Sequence, residues 1–331
     1  MIRPRRDNWR SRRGRSLDIL GGNEGLGGVL LIETSVQITP VMRAIRPQRL
    51  TPRVSQVLLL AGGVRSTGFR TQLGRHVLEL PVDGRKNLLD LWEAQVAGVS
   101  KRFESNHVQV KVLVDGASPA LMRRFVNGAP FSIERDMRGF RGTGGVLRDA
   151  CGGANEGEYI LVCNGFQILC EPLAEIAERL FDSGGALSFE SEPGGVGGVF
   201  LMKAECLSAI PSVGFVDFKE QAIGLIAKSH RVRVVESARR SGLPVRSLAE
   251  YLKALRCFLG TGEAGFSVVE PGAVVGEQTR LHDSVVLNGG WIGSGAIVAG
   301  SMVTAGGVVA KGGRVVHQIV SGVGMGRGGV A

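Results

Sequence analysis

From Gly260 onward the chain repeats with a period of six residues, and nothing else in it constrains folding so tightly. In "FSVVEPGAVVGEQTRLHDSVVLNGGWIGSGAIVAGSMVTAGGVVAKGGRVV" the aliphatic residues Val269, Val275, Leu281 and Leu287 share one phase. Ile297, Val303, Val309 and Val315 continue the period on a shifted phase, with glycines and other small residues between. A chain that turns a corner every six residues and stacks one aliphatic side chain inward between corners reads as a parallel β-helix, with three short strands per coil. About eight hexads amount to fewer than three coils. The repeat is therefore expected to need the preceding domain, or another subunit, as a cap. Solenoid sides with few charges often mediate oligomers, so a homo-oligomer is expected, with Trp291 a packing or subunit contact.

The preceding stretch, Val54 to about Leu259, has a different texture. "VSQVLLL" and "VQVKVLVD" are near-continuous apolar runs, the pattern of parallel strands buried on both faces. "NLLDLWEAQVAGVSKRF" has apolar residues at helical spacing, "EYILVCNG" is a further strand, "PLAEIAERLFDSG" a helix ending at glycine, and "VGGVFLMK" another strand. Strands alternating with helices imply an α/β domain with an open, mostly parallel sheet, whose ligand sits beyond the carboxyl ends of the strands. Three domains are expected: a basic extension over 1–52, an α/β domain over 53–260 and the repeat over 261–331.

Net charge separates these regions. The first sixteen residues hold seven arginines and one aspartate, a net of +6 out of +10 for the chain. A basic arm of this kind can bind nucleic acid or an anionic surface. Here it is expected to be a flexible solvated tail, or to result from a start codon placed too far upstream, because the rest of the chain carries little excess charge. That argues against nucleic acid as a partner. No apolar run reaches membrane-spanning length. Five cysteines, with no CxxC and no matched histidine spacing, point to a reducing, cytoplasmic compartment, to core filling and away from structural zinc.

Three glycine-rich stretches sit where a ligand belongs. "LLLAGG" delivers Ala61, Gly62 and Gly63 at the end of a buried strand, where bare backbone approaches an anion closely, and Arg65, Arg70 and Arg75 follow. "FRGTGGVLRDA" places Gly142, Thr143 and Gly144 before a helix expected to start near Val146. "YILVCNG" ends a strand in Asn164-Gly165. Each is also an ordinary structural turn when taken alone. Asp115, after "VKVLV", is expected to cap a helix in "DGASPALMRRF".

The order of these stretches, ahead of a hexapeptide tail, resembles the sugar-1-phosphate nucleotidyltransferases, or nucleotide-sugar pyrophosphorylases, whose catalytic domain precedes a left-handed β-helix. "LLLAGG" resembles that family's first strand and loop, "LPVDGRKNLLDLW" its "LPV-G-K-P-LLD" stretch and "GTGGVLRDA" its "GTAGAL" turn. "YILVCNG" resembles its "LV-NGD" strand, and "SLAEYLKALR" its terminal helix. The likeness runs collinearly from Gln56 to Val320. It implies a Rossmann-like nucleotidyltransferase sheet followed by a short left-handed parallel β-helix. The reaction would be attack of a sugar 1-phosphate on the α-phosphorus of a nucleoside triphosphate, expelling pyrophosphate, with Mg2+ as cofactor. Nucleotide would be held by Ala61, Gly62, Gly63, Gly142, Thr143, Gly144 and Asn164. Arg65 or a neighbouring arginine would steady pyrophosphate, and Arg75 or His76 would stand near the family's catalytic lysine.

The departures concern the chemistry. The "PKPL" lysine has no counterpart, the metal-binding aspartate of "NGD" falls on Phe166, and the second acidic ligand is missing from "RRSGLPVRS". Phenylalanine offers no oxygen to a hard cation. Either Asp149, Asp217 or Glu220 supplies a carboxylate, or the site is rebuilt around arginine. The alternative function is a catalytically silent homologue that binds nucleotide or sugar nucleotide. An acyltransferase based on His282 or His317 is a more distant third.

Overall fold

Two apolar runs form the middle of the structure. The computed structural model describes residues 53–62, 68–103, 108–121, 125–126, 129–136 and 141–322; segment 1–52 lies outside them. After β1 (Val54–Leu60) come a short helix α1 (Gly68–Leu73), the long α2 (Leu88–Arg102) and β2 (Gln109–Asp115). A two-residue strand β3 (Phe125–Val126) leads to β4 (Ala129–Asp136), α3 (Gly142–Ala150), β5 (Tyr159–Asn164), β6 (Gln167–Leu169) and α4 (Leu173–Asp182). The hairpin of β7 (Leu187–Glu192) and β8 (Gly195–Lys203) precedes α5 (Ile223–Ile226), β9 (Val232–Glu236), β10 (Gly242–Pro244) and α6 (Leu248–Leu259). Eight strands pair in the order β3-β4-β2-β1-β5-β8-β7-β9. β4, β2, β1 and β5 run parallel, and β8 lies antiparallel between β5 and β7. This is a mixed α/β architecture around a large, mostly parallel sheet.

The helices pack as their apolar stripes direct. Asn87 caps α2 through a reciprocal box with Asp90, and the helix buries Leu88, Leu89, Trp92, Val96 and Val99. Trp92 is buried, and its indole N–H donates to the Gly165 carbonyl at 2.9 Å, so the largest core side chain also pins the turn after β5. α4 buries Leu173, Ile176, Ala177 and Leu180 beside it. Helix α3 begins at Gly142, inside the glycine motif, rather than near Val146 as expected. No helix forms over 116–121, directly after Asp115; its carboxylate instead accepts from the Ala117 N–H at 3.0 Å in a local turn. No helix among the described residues is long and apolar enough to cross a membrane.

Helix α6 is capped by Ser247 and ends at Gly260, whose φ of 63° suits a residue without a Cβ. Beyond it, ten short strands form three parallel sheets, and the chain visits those sheets in cyclic order. Every pairing is offset by seventeen residues, as in Val268↔Val285, Trp291↔Val308 and Val298↔Val315. Inward-facing residues step by six, six and five, as in Val286, Ile292, Val298 and Val303. That one short step per coil is what shifts the six-residue phase. It also corrects two expectations: Val298 is fully buried while its neighbour Ile297 is 38% exposed, and Val286 lies in the repeat's own core where Leu287 was expected. The ten strands thus pair as one set of four and two sets of three. Corners fall at left-handed backbone positions that also recur every seventeen residues, for example Asp283, Gly300 and His317.

The repeat's first sheet joins the α/β core, since Val268, Val285, Leu287 and Met302 belong to the same buried cluster as Leu59 and Trp92. The described residues fall in one compact unit. Polar clamps reinforce the seam. Arg75 pairs with Glu270 at 2.8 Å, and Arg256 of α6 pairs with Asp283. The inward and outward assignments can be checked with one chemistry at adjacent sites. Val298→Thr is expected to cost about 2 kcal/mol in urea unfolding by burying a hydroxyl, whereas Ile297→Thr should cost less than about 1 kcal/mol.

Candidate functional site

A cleft of ≈530 Å³ opens at the carboxyl ends of β1, β2 and β4, where an open parallel sheet presents its loops. Its floor is backbone. Ala61 is buried and still donates to the Leu113 carbonyl at 2.8 Å, so β1 stays in register to its last residue. Gly62 follows so closely against β2 that a Cβ would stand 2.8 Å from the Asp115 nitrogen. The opposite wall is the first turn of α3, with Gly142, Thr143 and Val146, and the nearby Phe215.

That wall is fixed by a distant segment. The Gly144 N–H donates to the Val216 carbonyl at 2.8 Å, and the Val216 N–H donates to Arg141 at 2.8 Å. Gly142 has φ 70°, and a Cβ there would collide with the Val216 backbone, so glycine is required on both conformational and packing grounds. The Thr143 hydroxyl accepts from the Phe218 N–H at 2.9 Å and donates to Asp217 at 3.1 Å. Asp217 in turn caps the helical turn 218–222 by accepting from the Lys219 and Glu220 N–H groups. The Thr143 side chain, expected to face a base, thus holds the turn together.

Arg70 of α1 lies over the cleft. Its guanidinium donates to Asp115 at 2.7 Å and to the Ser118 hydroxyl at 2.8 Å, and stands 5.4 Å from the centre of the Phe166 ring. Phe166, at the position where the family resemblance expects a metal-binding aspartate, is 8% exposed and lies 5.9 Å from His76, ring to ring. Asn164 turns its side-chain oxygen back to accept from the Phe166 N–H at 3.0 Å. Arg75 is held away from the cleft by Glu270, in the repeat. Gly63 and Arg65 lie outside the described residues.

Magnesium finds no ready ligand set here. Asp217 is occupied as a helix cap, Asp136 and Asp149 both pair with Arg141, and Glu220 is exposed. No group of three or more histidine, cysteine, aspartate or glutamate side chains among the described residues is placed to hold a metal ion. The cysteines are all unpaired; Cys151, Cys163 and Cys206 fill the core, and burial pushes their thiols up. Cys170 and Cys257 are exposed, contrary to the expectation of core filling.

His76 sits behind the glycine loop. Its Nδ1 accepts from the Leu78 N–H at 3.1 Å, capping the turn 77–79, which fixes the neutral tautomer with the proton on Nε2. Burial pushes its pKa down to about 4; the Ala61 backbone opposes that shift, Arg70 and Arg135 add to it, and Asp115 opposes it. His76, which the resemblance set with Arg75 as a candidate for the place of the catalytic lysine, is a buried turn cap, and its partner groups lie in turns that only the fold brings together. For the same reason sequence reading singles out neither Phe215 nor Val216.

No protein-family model matches the chain, and no curated protein matches it. Among solved structures, the crystal structure of an Rv0371c homolog from Mycobacterium sp. strain JC1 is 18% identical, covering 62% of this chain and 97% of that one, with a TM-score of 0.43. Rv0371c from Mycobacterium tuberculosis H37Rv is 19% identical over 62% of this chain and 100% of that one, with a TM-score of 0.40. A likeness of this degree identifies neither a family nor an activity.

Two outcomes test the site's construction. Gly142→Ala is expected to lower the unfolding free energy by at least about 2 kcal/mol. Gly224→Ala, in a helical turn with nothing within 4 Å of its would-be Cβ, should be neutral or stabilising by up to about 1 kcal/mol. For His76, the native state holds the neutral form while the unfolded chain protonates near 6.5. Its contribution is therefore complete above pH 6.5 and lost as pH falls toward 4, a loss of about 3 kcal/mol. His76→Asn keeps a capping acceptor but does not titrate, so urea unfolding between pH 7.5 and 4.5 should show a smaller acid loss than the parent.

Proposed function

We propose that the cleft between Gly62 and Gly142 binds a nucleoside triphosphate or a nucleotide sugar, and that the protein acts as a nucleotide-binding protein built on a sugar-1-phosphate nucleotidyltransferase plan. The observation that carries this reading is the cleft itself. It has bare backbone at Gly62, a glycine helix start facing it, and the Arg70 guanidinium above. Backbone N–H groups and an arginine fork suit phosphate oxygens. Binding without turnover is favoured by Phe166 at the place of the family's metal-binding aspartate, by the cap that occupies the candidate carboxylate Asp217, and by the Arg75–Glu270 pair. Any magnesium would arrive on the nucleotide's own phosphates. Nucleotidyl transfer to a sugar 1-phosphate is the second reading, supported by Arg70, which can turn from Asp115 to a phosphate.

The finer architecture belongs to the same proposal. The three-sheet repeat is read as a left-handed parallel β-helix, supported by its cyclic strand order and seventeen-residue coil. Self-association into a homo-oligomer is supported by the outward row Val274, Trp291 and Val308, each at least 41% exposed and paired in register. Five unpaired thiols support a cytoplasmic location.

Thermal shift and pyrophosphate release, measured together, decide between the readings. With magnesium present, at least one of ATP, GTP, CTP and UTP is expected to raise the melting temperature, and Arg70→Gln to weaken that nucleotide about tenfold or more. A complete lack of nucleotide stabilisation sinks the proposal. Pyrophosphate release that depends on a sugar 1-phosphate would establish the transfer reading instead.

A further inference from the structure

Segment 211–216, "PSVGFV", is an exposed loop whose two large apolar side chains meet solvent: Val213 is 84% exposed and Phe215 51%. Such exposure is unusual for a phenylalanine, and its direction is imposed by the fold. Val216 is strapped to the α3 turn by the hydrogen bonds with Arg141 and Gly144, and its side chain is 5% exposed, buried in the cluster that contains Leu147 and Phe218. In extended chain, successive side chains point to opposite sides, so anchoring Val216 inward turns Phe215 outward. Gly214, at φ 96°, bends the chain just before it. The result is an aromatic ring on the wall of the ≈530 Å³ cleft, the only aromatic side chain among its described lining residues.

The rest of the cleft says what such a ring is for. Leu60, Leu113 and Val146 give it further apolar surface, and Gly62 and Gly142 contribute backbone without side chains. Among the described lining residues several polar side chains already answer one another: Arg70 with Asp115, Asp136 with Arg141, Thr143 with Asp217. A sugar would need a hydrogen-bond partner for each of several hydroxyls, and the side chains offer few. A nucleobase has apolar faces and polar edges, which suits an aromatic wall, aliphatic neighbours and bare peptide groups at the rim. We propose that Phe215 is the stacking platform for the base of the bound nucleotide, a binding residue held in place by the Val216 strap. This rests on the nucleotide-binding reading above and adds to it the residue that grips the base. Because stacking uses the π-face common to all bases, the contact supplies affinity, leaving choice among bases to the rim.

The test measures the affinity of the best-bound of ATP, GTP, CTP and UTP for the full chain and three variants. Phe215 is half exposed and outside the core clusters, so substitutions there should leave the melting temperature of the unliganded protein near that of the parent. Phe215→Ala and Phe215→Leu are expected to weaken binding about tenfold, Phe215→Trp to retain it, and the new indole's fluorescence to be quenched by nucleotide. If Phe215→Leu binds as tightly as the parent, the residue is only apolar cover and stacking is refuted. Unchanged affinity in all three variants overturns the assignment while leaving nucleotide binding intact. If the parent itself binds no nucleotide, the functional reading falls and this one with it.

Discussion

The close approach of two backbones, Gly142–Gly144 against Val216, is the constraint on which the cleft depends. Seventy residues of chain separate these segments, yet two hydrogen bonds at 2.8 Å join them, and at Gly142 a single methyl group would force them apart. Three consequences follow from that contact. Helix α3 must begin at the glycine motif, because its first turn is already committed to Val216. Thr143 and Asp217 fall within reach of each other and complete the cap on the turn 218–222. Phe215, next to an anchored and buried neighbour, has nowhere to point but outward. A glycine-rich helix start of the kind that elsewhere invites an anion is here first of all a packing joint, and its capacity to meet a ligand comes from what the joint leaves exposed.

Charge in the cleft is organised in the same pre-arranged way. Arg70 and Asp115 are both largely buried and joined at 2.7 Å, and Arg141 holds two carboxylates. A partly buried ion pair strengthens little by itself, since desolvation offsets much of the attraction, but removing one member leaves the other uncompensated. A phosphate entering beside Arg70 must therefore compete with Asp115, and would be repelled by it unless the arginine turns. This geometry tolerates an anion more readily than it polarises one. An enzyme that stabilises developing charge needs donors already aimed at it. Phe166 under Arg70 makes the same point: an aromatic face supports a cation, whereas the oxygen ligand expected there would have recruited a metal.

The parts of this architecture that could be read from sequence are those whose signals are local. β1, β2 and β5 are buried on both faces and so are written as continuous apolar runs; α2 and α4 carry single stripes with a cap or a terminal glycine. β4, "APFSIERD", near the sheet edge with charged residues at its end, gives no such run and is silent in the sequence. In the repeat, the six-residue period is legible but the short step is not, because Val285, Val286 and Leu287 are all apolar and only packing sends Val286 into the repeat's own core and its neighbours into the core shared with the α/β domain. The glycines of the cleft were legible as glycines needing a reason, and their place at the strand ends followed from the α/β pattern. Their actual reason, contact with Val216 and with Asp115, involves residues with no distinctive spelling. Arg75 illustrates the limit: its partner Glu270 is 195 positions away, in the other half of the protein.

That pair also joins the α/β domain to the repeat. The arginine lies just after α1, the helix that supplies Arg70 to the cleft, and the glutamate lies at the first corner of the repeat, where its second oxygen accepts from the Asn288 N–H at 2.7 Å on the next coil. Tyr251 carries the link inward: its ring packs 6.5 Å from Phe69 of α1, while its hydroxyl holds Pro81. The segment that carries Arg70 is thus braced by α6 on one side and by the stacked coils on the other. A loop that closes over a reacting nucleotide usually needs freedom to move. Here both Phe69 within the helix and Arg75 just after it are tied to other elements, by Tyr251 of α6 and by Glu270 of the repeat.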